Sequence, residues 1–564
     1  MPTLQFKGKT FVQNHHLAVK YHQLVPKKDL SLTDKISLHD NLIIQGDNLK
    51  ALKALLPTYS GKIKCIYIDP PYNTGQEGWI YNDNVNTPML KEWLGKVVDK
   101  EDLTRHDKWL CMMMPRLKLL RELLSEEGVI FISCDDNELY HLKNMLDEIF
   151  TETNWVGTII WRNVTDNNPT NIAIEHEYII CYAKNKEILE PIWKSKVTDA
   201  KEQLIKIGKE LNKKIKTQDE LQSEYTKWFR DNKAFLGQLD RYKYIDKGGV
   251  YTGSQSVHNP GREGYRYDII HPVTKKPCKE PLMGYRFPET TMKELLDSGK
   301  ILFGDDETKI IELKVYAEEY EDKLASVIQL DGRLGSYDLK EIFTENKKTF
   351  DNPKPVQLIK QLLSYLSSSN DIILDSFAGS GTTGHAVLEL NKDDGGNRKF
   401  VLVEQEEYSN AITAERVRRV IKGVKTAKSI SIKNGTGGSF SYFELGPTIE
   451  MESILQGKNL PSYAEFARYI FYTATGEEFN EKKINEKTGF IGETKNYELY
   501  MFYKPDVEWL KRNALTLDGV KAMPKFKGKQ RLVFAPAKYV DDYTCLENRI
   551  DFCQLPYEIY RIHK

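Results

Sequence analysis

No uninterrupted apolar stretch in the 564-residue chain approaches the roughly 20 residues of a membrane span. The opening MPTLQFKGKT lacks the apolar core of a signal peptide. Both absences predict a cytoplasmic protein. Net charge is absent as well, with 81 basic against 81 acidic residues, so a nucleic-acid partner would have to meet a local basic surface rather than a global field. Cysteine is sparse. The seven (65, 111, 134, 181, 278, 545 and 553) form no C-x-x-C pair and several sit in apolar runs, which favours reduced core thiols over zinc or disulfides. No G-x-x-x-x-G-K-[ST] occurs, which excludes a P-loop motor, and there is no repeat or long low-complexity segment. What remains is a globular chain, 40% hydrophobic, too long for one core; roughly two to four domains are expected.

Apolar runs that read as buried parallel strands are LIIQGD (42–47), CIYID (65–69), GVIFIS (128–133), YIICYA (178–183), DIILDSF (371–377) and KFVLVEQ (399–405). Helical patterns such as PRLKLLRELLSEE and ELYHLKNMLDEIF separate many of them, which predicts an α/β fold with a doubly wound, mostly parallel sheet. The alternation breaks after about Asn185 and resumes near Asp371, so a segment is inserted between two halves of one sheet. The insertion opens with Leu204, Ile207, Leu211 and Ile215 at helical spacing on a basic background. It continues with a mixture of Tyr, Arg, Lys and Gly that suits phosphate and base contacts, and equally suits a loop-rich subdomain with ordinary surface tyrosines. The Gly-rich KNGTGGSF leads into a last segment expected to be a separate α/β domain.

Two stretches carry chemistry. In IYIDPPYNTG, Pro70 cannot donate to a ladder and ends the strand at Asp69, while two successive prolines stiffen the loop and aim the Pro70 carbonyl. An acid, a fixed carbonyl and an aromatic ring are presented together. In DSFAGSGTTG, Gly379, Gly381 and Gly384 match G-x-G-x-x-G at a strand-to-helix turn, where backbone can approach a ligand closely. The next strand ends at Glu404, placed to accept from both ribose hydroxyls. An adenosine-containing cofactor fits, and a nicotinamide oxidoreductase would show the same glycines. The D-P-P-Y loop separates the readings: Asp69 and the Pro70 carbonyl can accept the two N–H bonds of an exocyclic amine and aim its lone pair at a sulfonium methyl, with Tyr72 stacked on a flipped base.

With these motifs the chain resembles a β-class adenine-N6 DNA methyltransferase, and more closely the modification (Mod) subunit of type III restriction systems. The class places DPPY (69–72) before FAGSG (377–381), a circularly permuted order, and NLIIQGDNLKALKALLPTY, IDPPYNTGQEGWIYNDNVN, EGVIFISCDDNEL, EHEYIICYAKN, NPKPVQLIKQLL and QLPYEIYRI extend the resemblance over nearly the whole chain. The resemblance implies the S-adenosylmethionine-dependent methyltransferase fold. It implies catalysis by Asp69, Pro70, Pro71 and Tyr72, and an S-adenosylmethionine site lined by Asp375, Phe377, Gly379 and Gly381, with Glu404 on the ribose. Asp47 would face the adenine edge and Lys354 the methionine carboxylate; the plainer roles are a helix cap for Asp47 and a solvated loop lysine for Lys354. The Gly-Tyr-Arg at 284–286 and Ser-Cys-Asp-Asp at 133–136 depart from the usual Gly-Trp-Arg and Ser-Ile-Asp-Asp, which touches packing only.

The expected organisation is 1–185, the catalytic half; 186–331, an inserted target-recognition domain; 332–430, the cofactor half; and 431–564, a C-terminal domain for partner docking. The implied partners are double-stranded DNA, a second copy of the chain and a separate ATP-dependent restriction subunit. Cytosine-N4 methylation is the alternative within the class; a nicotinamide oxidoreductase or a non-catalytic DNA-binding module are those outside it. No metal is expected: Asp135 and Glu138 fit a capping box, and the histidines of NHH at 14–16 lack further ligands at useful spacing. RHDKW (105–109) reads as a helix start, with a phosphate contact as the functional alternative. Arg262, Arg266 and Arg286 are candidates for DNA contacts.

Overall fold

The computed structural model describes residues 3–74, 104–164, 171–195, 199–259, 261–345, 349–449, 459–477, 479–524 and 528–555. Two expected features, the continuation GQEGWIYNDNVN and the closing PYEIYRI, lie outside them. The chain divides into two compact units, Met1–Pro191 with Ala325–Lys564, and Ile192–Leu324.

The first unit is built on ten strands: β1 (His22–Pro26), β2 (Leu42–Gln45), β3 (Ile63–Ile68), β4 (Leu124–Cys134), β5 (Trp155–Arg162), β6 (His176–Ala183), β7 (Val327–Gln329), β8 (Ile372–Asp375), β9 (Lys399–Glu404) and β10 (Ser441–Thr448). They lie in the order β1-β10-β2-β9-β8-β3-β4-β6-β5-β7. All six apolar runs become strands of this sheet. Parallel pairing runs from β10 through β2, β9, β8 and β3 to β4. Alternate residues face opposite sides. Leu42, Ile44, Ile66, Ile68, Ile130 and Ile132 join one core with helices α1 (Asn48–Tyr59), α2 (Arg105–Leu123) and α3 (Leu139–Phe150). On the other face helix α4 (Thr382–Asp394) lies so close that a side chain at Gly384 would press on Leu402.

Two expectations are corrected. The run 178–183 is not parallel: β6 is antiparallel to both β4 and β5. A short apolar strand has the same composition in either direction, so periodicity carries no sign. The boundary at 431 also fails, because β10 pairs with β2 and belongs to the main sheet. The Gly-rich segment before it turns through Gly435, Gly437 and Gly438 at positive φ and delivers the chain to that edge. Beyond it, Phe490–Glu493, Tyr497–Met501, Gln530–Ala535 and Ile550–Gln554 form a separate four-stranded sheet in that order, packed in part on helix Tyr463–Thr475 through Phe466, Ile470 and Met501.

The second unit opens with helices Asp199–Lys214 and Gln218–Leu236, whose Leu204, Leu221 and Tyr225 share a core with Val250. A four-stranded antiparallel sheet follows, built from 244–254 and 301–316. Arg262, Arg266 and Arg286, in the connection between those two stretches, are exposed; Arg266 pairs with Glu280 at 3.2 Å. All seven cysteines are buried and free. Among the described residues no helix is long and apolar enough to cross a membrane.

Candidate functional site

Three neighbouring parallel strands end at one edge of the sheet and release the acidic residues together: β3 gives Asp69, β8 gives Asp375 and β9 gives Glu404. Beyond β3 the D-P-P-Y loop is pinned. The indole Nε1 of Trp109 donates to the Pro71 carbonyl at 2.7 Å, and Asn73 turns the chain at φ 61° with its side chain fully buried.

Lys354 occupies the centre of the site. Its ammonium lies 3.2 Å from Asp69 Oδ1 and 3.0 Å from Glu177 Oε2, donates to the Tyr72 hydroxyl at 2.8 Å, and sits 4.9 Å from the centre of the Tyr72 ring. Tyr72 in turn donates to Glu177 Oε2 at 2.8 Å, and the other Glu177 oxygen accepts from Asn163 Nδ2 at 2.7 Å. Burial pushes the Asp69 carboxyl above the usual carboxylate range; the Lys354 charge opposes that rise and the Glu177 charge adds to it. Lys354 itself is held above its ordinary value: burial lowers it, and the two carboxylates outweigh the burial. Of the two sequence expectations for Lys354, the solvated loop lysine is overturned. Its placement beside Asp69 was not anticipated.

Glu177, Asn163 and Trp109 were not legible as site residues. Glu177 and Asn163 arrive because β6 starts, and β5 ends, at the edge where β3 and β4 finish, a consequence of the antiparallel pairing. The signal available was a glutamate immediately before the apolar run 178–183, in a segment quoted for its resemblance.

The glycine turn is shaped from within. Gly379 and Gly381 have φ of 51° and 80°, values that favour glycine. A side chain at Gly381 would meet the Thr413 carbonyl at 3.0 Å, and one at Gly379 would meet Phe350 at 3.3 Å. Glu404 Oε2 accepts from the Gly379 amide at 2.7 Å and its Oε1 from the Glu406 amide at 3.0 Å. Asp375 is buried under the turn, accepting from the Phe377 amide at 3.0 Å and the Thr383 hydroxyl at 2.5 Å. Burial pushes its carboxyl up to about 7. Asp47 caps α1, accepting from the Lys50 amide at 3.2 Å, at the end of β2 next to β9. The hydroxyl of Ser376, at the start of the turn, is buried and finds no hydrogen-bond partner among the described residues.

The expected capping box at 135–138 does not form. Asp135 folds onto Asn137, accepting from its amide at 2.9 Å, and Glu138, fully buried, makes no capping bond. Its carboxylate meets His106 Nδ1 at 2.7 Å, His141 Nδ1 at 3.1 Å and Asn73 Nδ2 at 2.5 Å. These three side chains, His106, Glu138 and His141, bring potential metal-ligating atoms within 4.8 Å of one another. The two shorter separations are those of hydrogen-bonded or ion-paired atoms, closer than the roughly 3.3 Å between two ligands of a tetrahedral zinc.

The chain carries strong likenesses elsewhere. A family model described as DNA methylase, for N6 and N4 methyltransferases, matches residues 63–415. The chain is 54% identical over 378 residues to the Mod subunit of the type III restriction-modification enzyme EcoP15I of Escherichia coli, covering 65% of this chain and 58% of that protein. It is 31% identical to the StyLTI Mod subunit of Salmonella typhimurium, covering 72% and 59%, and 31% identical to the EcoPI Mod subunit of Escherichia phage P1, covering 70% and 64%. The matches thus span about three fifths of these relatives' own lengths. The family match takes in the acidic loop, the glycine turn and the strands that set them side by side, and on that ground the chain belongs to the N6/N4 DNA methylase family.

Proposed function

We propose that the protein transfers a methyl group from S-adenosylmethionine to adenine N6 at a specific sequence in double-stranded DNA, as the modification subunit of a type III restriction-modification system. The observation that carries this reading is the release of the D-P-P-Y loop and the glycine turn from adjacent parallel strands at one sheet edge. The residues fit the cofactor: two left-handed glycines open the backbone of the turn, the Ser376 hydroxyl is unsatisfied among the described residues, and Asp47 and Glu404 end neighbouring strands. Asp375 supports the turn from beneath, while Phe377, Gly379, Gly381 and Glu404 would hold the cofactor. S-adenosylmethionine, when bound, supplies an electrophilic methyl.

The chain's own residues would supply the rest. An adenine amine is a weak nucleophile because its lone pair is delocalised into the ring. Asp69 and the Pro70 carbonyl would accept its two N–H bonds, hold the nitrogen towards tetrahedral geometry and stabilise the charge that develops on it. Pro71 stiffens the loop and Tyr72 would stack on the flipped base. Lys354 now makes both contacts that the base needs, on Asp69 and over the Tyr72 ring. The base would take them over, and Glu177 would retain the ammonium.

The unit Ile192–Leu324, within the insertion expected at 186–331, would select the sequence, with Arg262, Arg266 and Arg286 as candidates for phosphate or base contacts. A homodimer recruiting a separate ATP-dependent restriction subunit, with residues beyond 449 as part of the docking surface, completes the proposal. Light scattering that shows only a monomer at micromolar concentration refutes the dimer. Exchange of the insertion for a relative's moves the methylated site if the assignment is right.

The test of the reaction is single-molecule sequencing of DNA from a methylation-deficient host expressing the protein. N6-methyladenine at one recurring sequence is expected, absent with Asp69→Ala. N4-methylcytosine would replace the adenine reading, and unmodified DNA would overturn both.

A further inference from the structure

We propose that Glu138 and Asn73 are positioning residues that fix the exit of the D-P-P-Y loop, with His106 and His141 compensating the buried carboxylate; the inference rests on the methyl-transfer reading of Asp69. Asn73 follows Tyr72 directly, has no exposed surface and adopts the left-handed conformation, which asparagine tolerates better than most side chains. Its amide donates to Glu138 Oε1 at 2.5 Å. A carboxylate with no exposed surface is costly unless it is paired and hydrogen-bonded, so its position calls for an explanation.

The partners supply one. The side chain of Arg105 donates to His106 Nε2 at 3.3 Å, which leaves Nδ1 as the protonated nitrogen that donates to Glu138 Oε1 at 2.7 Å. His141 Nδ1 lies 3.1 Å from Glu138 Oε2, an ion-pair separation, and the adjacent carboxylate raises its basicity. Among the described residues, Arg105 and Asp107 at the start of α2 and Cys134 at the end of β4 also bear on the cluster, and Asp135, Asp136 and Glu177 bear in turn on Cys134. Three segments therefore converge on one carboxylate: the loop after β3, the start of α2 and the start of α3.

The consequence lies at Tyr72. Its ring is held by Lys354 and Glu177 on one side, its preceding carbonyl by Trp109, and its following residue by Glu138. Catalysis that depends on aiming a lone pair tolerates little displacement; a misplacement of about 1 Å costs on the order of a hundredfold. Releasing Asn73 frees the loop at one of its three pins among the described residues, away from Asp69, the glycine turn and the insertion.

The decisive variant is Asn73→Gly, which keeps the left-handed turn and removes only the anchor. We expect turnover to fall roughly tenfold or more, with affinities for S-adenosylmethionine and for DNA within about twofold of wild type. Glu138→Ala should give a similar loss, and the double variant should be no worse than the poorer single one, because both remove the same contact. Asn73→Asp with Glu138→Gln exchanges donor and acceptor across the pair and should recover part of the turnover. Thermal unfolding checks each protein; if Glu138→Ala does not fold, Asn73→Gly decides. Wild-type turnover in Asn73→Gly, additive losses in the double variant, or a loss seen only in cofactor affinity overturns the inference. A wild-type protein that transfers no methyl group would instead refute the reaction reading.

Discussion

Removing the Lys354 ammonium should change the pH at which the enzyme works, and removing the Glu177 charge should change it in the opposite direction. Asp69 accepts most strongly from the amine, and stabilises the positive charge that develops on it, while ionised. Burial raises its carboxyl, Glu177 raises it further, and the Lys354 charge at 3.2 Å is what holds it down. Lys354→Met keeps much of the stem and deletes the charge, so Asp69 and Glu177 face each other without a cation between them. The proton then stays on Asp69 to higher pH. Loss of a charge-assisted contact of about 1.5 to 3 kcal/mol corresponds to roughly 10- to 100-fold in turnover at neutral pH, recoverable as the pH is raised. Glu177→Gln removes the charge that raises Asp69, leaves Lys354 wholly to Asp69, and shifts the acidic limb to lower pH. The assay is single-turnover methyl transfer to a DNA duplex across pH at saturating cofactor. Opposite displacements of the acidic limb are the signature. Unmoved limbs in both variants refute the electrostatic reasoning, and a loss confined to cofactor affinity in Lys354→Met returns the ammonium to the methionine carboxylate.

Asp69→Ala should lower methyl transfer by at least about a hundredfold while calorimetry still detects S-adenosylmethionine, because one acceptor of the amine is lost and the glycine turn is intact. Asp375 has its carboxyl raised to about 7 by burial, so its contribution to stability is complete below the ordinary value of 3.8 and is lost as pH rises through 7. Asp375→Asn should therefore gain stability relative to wild type between pH 5 and 8, with thermal melts as the measure; parallel curves would contradict this. Gly381→Val should abolish cofactor binding, since a branched side chain at φ 80° is strained and its Cβ would stand 3.0 Å from the Thr413 carbonyl. A measurable drop in melting temperature should accompany the loss, and unchanged affinity would show that the turn does not touch the cofactor.

The parts of the site that could be read in the sequence are those where residue type alone constrains the backbone. Two prolines end β3 and stiffen the loop whatever surrounds them, and the Gly379 and Gly381 conformations exclude most other residues. The six apolar runs were legible because both faces of their strands are buried. The short β1, half-buried along nearly its whole length at one border of the sheet, carries no such signal, and β5 and β10 are likewise only partly buried. Glu138 was misread because a capping box and a buried ion-pair node share the same spacing; only the fold brings His106 and Asn73 to it.

Glu177 shows why the rest was hidden. A hexapeptide such as YIICYA spans about 20 Å as a strand, and its apolar pattern is identical whichever way it runs. Running parallel to β4, it would have left the preceding glutamate at the far edge of the sheet, an ordinary polar residue at a strand start. Running antiparallel, with Cys134 opposite Tyr178, it delivers that glutamate to the edge where Asp69 emerges. One choice of direction, made by the connection through β5 and by no residue of the run itself, decides whether Lys354 has one carboxylate or two. The electrostatics of Asp69 therefore depend on topology as much as on motif.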